Sequence, residues 1–252
     1  MDSSVFGGAN MKTKPAVFVC VLIVFFSALL PMAFQNIEAA SRRGADVQIY
    51  SLQILINQAY QMVLEGSSLV MLDQMGKGGI FGGVITKRGW TMIDQGQRII
   101  SEAMNGDEMI QLTRDGRSED PLLSTVKEIA TEMLRAVNEI RGYLLIKMDE
   151  PGRSQMHSLV TLLNHGMKMA TDGANMIMLG RTGEPGGARD TLQKHGRTMM
   201  RDGRVLIIRL SDNDTMKELH RAGHTIKQSP AMTSLHNSIE HSLRVIDRLA
   251  RM

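Results

Sequence analysis

Two stretches thirty residues apart, HGMKMATDG (165–173) and HGRTMMRDG (195–203), each set a histidine and a methionine four positions apart. On a helix, residues i and i+4 share a face, so His165 with Met169, and His195 with Met199, would present an imidazole beside a thioether. That donor set suits a soft cation such as Cu(I), and Met176 extends the His165–Met169 face. A second candidate is HRAGH, where His220 and His224 stand four apart on an expected short helix. His236 or His241, on the expected last helix, is placed to fold back as a third ligand. Imidazoles at this spacing suit zinc, copper or nickel. No cofactor is required by this pattern; copper or zinc is the alternative, with His220, His224, His241, His165 and Met169 as candidate metal residues.

A competing reading explains more of the pattern. Aligned on its last glycine, the motif occurs four times: AYQMVLEG (59–66), GWTMIDQG (89–96), GMKMATDG (166–173) and GRTMMRDG (196–203). Each has a small residue, methionine three later and glycine four after that, with Leu69, Ile99, Met176 or Leu206 three further on. Steps of three and four mark one helix face, the seam of two packed helices. Glycine inside a helix costs about 1 kcal/mol relative to alanine, so four of them need an offset. Close helix approach supplies it, and a flexible methionine from the partner helix can fill the remaining groove. The histidine is present in two of the four segments only, and all seven histidines lie in the second half of the chain. The recurring residues are therefore those that packing requires, and a metal site would be a property of the second half alone.

Other chemistry finds little to build on. GKGGIFG (76–82) lacks the Lys-Ser/Thr ending of a phosphate loop and follows an expected helix rather than a strand. There is no Gly-x-Ser-x-Gly and no His-Glu-x-x-His. Carboxylates stand before the seam glycine at Glu65, Asp172 and Asp202, positions from which they can pair across helices. No base is placed beside a nucleophile, and the chain reads as a non-enzymatic structural or partner-binding module. The alternative is periplasmic binding or buffering of copper or zinc through the second half. In composition, the His/Met-bearing helices of the second half resemble small periplasmic metal-binding helical proteins of bacteria, a likeness without a shared diagnostic motif.

The elements that position these residues come from a repeat. SLQILINQAYQM (51–62) aligns without gaps to SLVTLLNHGMKM (158–169), an offset of 107 that also pairs KRGWTMIDQG (87–96) with KHGRTMMRDG (194–203). Two extra residues intervene before Pro121 matches Pro230. A period this long describes a small domain, not a solenoid unit. The expected fold is all-α: a tandem duplication of a three-to-four-helix antiparallel bundle unit with Gly/Met-rich seams. The first repeat covers 41–147, MDEPGRSQ (148–155) is the linker, and the second repeat covers 156–252. Within the repeats, helices are expected at 46–75 and 155–180, then 86–104 and 188–210. A short helix follows the Asx-rich NGDEM or SDNDTM, and a last helix follows each matched proline. No alternating apolar–polar run is long enough for a strand.

The N-terminus has the layout of a secretory signal peptide over residues 1–40. Lys12 and Lys14 precede a 15-residue apolar run, Ala16–Leu30; Pro31 breaks it, and NIEAAS places the cut after Ala39 or Ala40. An uncleaved anchor is the alternative, and would be the chain's contact with a membrane. Cys20 would leave with the peptide, so the exported chain would carry no disulfide and no thiol ligand. Net charge is +3, too small to imply nucleic acid. The expected location is periplasmic or secreted. The expected partner is another protein or a second copy, met through methionine-rich helix faces left exposed.

Overall fold

A computed structural model describes residues 45–114, 120–146, 150–183, 186–225 and 228–252. The expected signal peptide and Cys20 lie outside the described residues. No strand occurs among the described residues, and the fold is all-helical. Helix α1 spans Ala45–Gln74; after a single 3-10 turn, Gly79–Phe81, α2 spans Gly82–Asn105. Next come α3 (Asp107–Leu112) and α4 (Pro121–Leu145). The second half supplies α5 (Glu150–Thr182), α6 (Gly187–Leu210), α7 (Asp214–Arg221) and α8 (Pro230–Leu249). No described helix is long and apolar enough to cross a membrane.

Local chemistry sets most of these ends. Pro121 and Pro230 stand in first turns, where no intrahelical donor is needed. The Asp120 carboxylate accepts from the Leu122 N–H at 2.8 Å, and the Asn213 side chain caps α7 by accepting from Thr215 at the same distance. Helix α3 departs from expectation. Its N-cap is Gly106, with no side-chain cap, and Asp107 and Glu108 instead face the helix dipole from the first turn. The expected linker is also largely absorbed. Helix α5 begins at Glu150 because Pro151, in its first turn, does not interrupt it.

Helices α1 and α2 form one antiparallel hairpin and α5 and α6 another. Between them, α1 lies against α5 and α4 against α8, and the buried residues of both halves join one cluster. Ile56, Tyr60 and Val63 of α1, Ile129 and Val137 of α4, Leu159 and Met167 of α5, and Val245 of α8 are among its fully enclosed members. The methionines go inward. No methionine among the described residues is exposed, which corrects the expectation of methionine-rich outer faces. The exposed aliphatic side chains are others, among them Ile80, Val84, Val205 and Ile208.

Polar contacts between the halves recur at fixed spacings. Gln61 donates to the Asp172 carboxylate at 2.7 Å, and Lys168 pairs with Glu65 at 2.8 Å; each partner of the second pair stands 107 positions from its counterpart in the first. The same shift relates Asn57 donating to Asn175 (2.7 Å) to Asn164 donating to Ser68 (3.3 Å). Between α4 and α8 the shift is 109. It relates the Asn237–Glu139 hydrogen bond (3.1 Å) to the Arg248–Glu128 pair (2.9 Å). Such reciprocal pairs are the pattern of a two-fold interface.

Candidate functional site

The glycine seam is a backbone contact. A Cβ on Gly66 would lie 2.5 Å from the Gly89 carbonyl oxygen, and one on Gly89 would lie 2.6 Å from that of Gly66. Gly173 and Gly196 stand in the same mutual relation, and Gly203 in α6 meets the Gly166 carbonyl. The flanking contacts are mostly aliphatic: Val70 and Ile93 in the first hairpin, Ile177 and Ile207 in the second. Methionine from the partner helix also reaches the seam, with Met92 Cβ beside Gly66 and Met200 Cγ beside Gly173, while carbonyl oxygen takes the closest place, where a side chain on the glycine would sit. Met169 of the seam is half-buried, with its Cβ beside Gly203.

This geometry separates the opening histidines. His165 precedes Gly166, which faces Gly203, whereas His195 precedes Gly196, which faces Gly173. The two levels are seven residues apart on each helix, about 10 Å. Both histidines are exposed.

His220 and His224 are not on one helix face, a correction to the sequence reading. Helix α7 ends at Arg221, and Gly223 turns the chain with φ +92°. The His224 N–H reaches back to Leu219 at 2.9 Å and that of Gly223 to His220 at 3.1 Å, the paired bonds of a Schellman stop. The glycine inside HRAGH was the available signal, since glycine is the usual residue just past a helix end. His236 pairs with Glu240 on its own helix at 3.1 Å. Among the described residues no group of three or more His, Cys, Asp or Glu side chains is gathered to hold a metal ion.

His241 has another partner. Its Nδ1 lies 2.7 Å from the Glu132 carboxylate, which is nearly buried on α4. A carboxylate only accepts, so Nδ1 carries the proton. Arg135 adds a 2.8 Å contact, with Arg244 and Arg248 at 3.9 and 3.8 Å. Burial alone would push the pKa of Glu132 up. The His241 hydrogen bond and the charges of Arg135, His241 and Arg244 outweigh it and hold the carboxyl below its usual range. Glu132 and His241 stand 109 residues apart, the spacing that also relates the Asn237–Glu139 and Arg248–Glu128 pairs.

A second buried pair joins the ends of α4 and α5. Tyr143 Oη and His157 Nδ1 are 2.5 Å apart, rings edge-on at 5.7 Å. Burial, with a smaller contribution from the Arg153 charge, depresses His157 to about 4. Its Nε2 has no partner among the described residues. Sequence reasoning missed Glu132, Tyr143 and His157, since they sit in no motif and only folding brings them to their partners.

Compared with known proteins, the chain matches no family model, and no significant match emerges among curated proteins or solved structures.

Proposed function

We propose that this chain is a tandem duplication of one helical unit, exported from the cell, that works without catalysis as a protein-binding module. The duplication reading is supported by the two hairpins whose glycines meet at matching positions and by the reciprocal polar pairs at shifts of 107 and 109. Helices α1 and α5, with α4 and α8, fuse the repeats along their shared interface.

The binding reading rests on one observation. On α6, Val205 and Ile208 stand three apart, on one helix face, 39% and 41% exposed. Their counterparts on α2 are Arg98 and Ser101, so the seam packs equally well with polar residues there. An apolar pair that packing does not require is a surface available to a partner. The copper or zinc alternative gains no support from the placement of His220, His224 and His241.

A photo-crosslinking residue at Val205 in the native cell tests the reading, with the same residue at Arg98 as reference. A discrete adduct from Val205 alone is expected; an adduct at twice the chain mass would make the partner a second copy. No adduct, or equal labelling from both positions, refutes it. Export is tested separately: the protein from the periplasmic fraction or medium should begin at Ala40 or Ser41.

A further inference from the structure

The four most exposed large apolar side chains of the described residues are Ile80 (93%), Leu145 (71%), Val84 (69%) and Phe81 (57%). Three belong to the tip of the α1–α2 hairpin. Leu145 joins them at the same end of the molecule, because Gln74, the last residue of α1, donates its side-chain N–H to the Leu144 carbonyl at 2.8 Å. From Gln74 to Ile93 the chain carries Lys77, Lys87 and Arg88 and no acidic residue. All three cations are exposed. Asp73, the nearest acid before that stretch, already accepts the Thr86 hydroxyl at 2.5 Å.

We propose that this end of the molecule docks on the surface of an anionic phospholipid bilayer. Apolar side chains at the tip enter the acyl boundary while the flanking cations meet lipid phosphates, the division of labour of interfacial anchors. Glu150 and Arg153, at the start of α5, lie at the same end and offset each other in formal charge. Lys77, Lys87 and Arg88 therefore keep it positive, and charge favours this occupant over a second copy docked tip to tip. The segment before Ala45 joins α1 at its other end, about 45 Å away along the helix. The second hairpin carries Gly187, Ala188 and Thr191 where the first carries Ile80, Phe81 and Val84. Toward the turn of that hairpin the exposed large apolar residues among those described, Leu179 and Leu192, are less exposed at 48% and 37%. The property belongs to one end of the molecule. It involves residues other than Val205 and Ile208 and does not rest on the protein-binding reading.

The test places a fluorophore at the tip of the full chain, as Phe81→Trp with Trp90→Phe, against Ala188→Trp in the same background. Vesicles of phosphatidylglycerol, and separately of phosphatidylcholine, are titrated in. The expected result is a blue shift of the tryptophan emission from position 81 with phosphatidylglycerol only, reversed by high salt and absent for the position-188 probe. Replacing Lys77, Lys87 and Arg88 by serine should weaken binding at least tenfold while leaving the helical circular dichroism unchanged. The proposal is overturned by no shift at position 81, by equal shifts at both positions, or by equal shifts with both lipids. A position-81 shift produced by concentrating the protein without lipid would also overturn it and indicate self-association.

Discussion

Glu132 on α4 and His241 on α8 are 109 residues apart in the chain and 2.7 Å apart in the fold. Across the same contact between α4 and α8, the Asn237–Glu139 and Arg248–Glu128 pairs show the same spacing of 109, each residue's counterpart serving in the other pair. Replacing His241 by leucine leaves a nearly buried carboxylate short of its hydrogen bond. Urea denaturation should show a loss of about 1–3 kcal/mol. In a double-mutant cycle with Glu132→Gln the two sites should couple by about 0.5 kcal/mol or more; additive losses would mean the contact contributes nothing specific. Because the Glu132 carboxyl is held low, its contribution is present above the unfolded carboxylate value and is lost as pH falls through the lower folded value.

The glycine seam predicts an inversion of the usual helix scale. Alanine normally gains up to about 1 kcal/mol over glycine inside a helix. At Gly173 or Gly196 the added methyl would collide with a facing carbonyl oxygen, so each change to alanine should cost about 2 kcal/mol or more, and leucine more still. Gly83, on the open side of α2, meets nothing within 4 Å. There, alanine should be neutral or stabilising by melting temperature. Equal behaviour at the two kinds of site would sink the close-approach account.

His157 makes acid stability testable. Its folded value is about 4, below the ordinary histidine value. Between pH 6.5 and about 4 the unfolded chain therefore binds more protons, and stability falls as pH falls. The full effect is on the order of 3 kcal/mol by the linkage relation. In His157→Leu most of this slope should disappear from urea unfolding measured across that window, whereas an unchanged slope would assign it to other groups.

The turn at Gly223 carries a prediction for both stability and metal uptake. With φ at +92°, alanine there should cost about 1–2 kcal/mol. Since this turn takes His224 off the α7 face, replacing His220 and His224 together by alanine should leave copper or zinc uptake unchanged by elemental analysis. Loss of a bound equivalent would restore the metal reading.

The sequence alone determined the helices, the hairpin order and the faces that meet. Those follow from local spacing: small residues and glycines at steps of three and four, prolines and Asx residues at helix starts, and one pattern occurring twice 107 residues apart. The ends that local chemistry leaves open were less legible. Examples are the glycine-led start of α3 and the first turn of α5, where Pro151 is tolerated rather than disruptive. The site was less legible again. His220 and His224 have helical spacing, but one positive-φ glycine between them redirects the backbone. Tyr143–His157 and Glu132–His241 are not written as spacing at all. Their distances depend on how α4 meets α5 and α8, a choice made by burying apolar faces in one core. Periodicity tells which side of a helix is buried; which buried neighbour it finds is a tertiary fact.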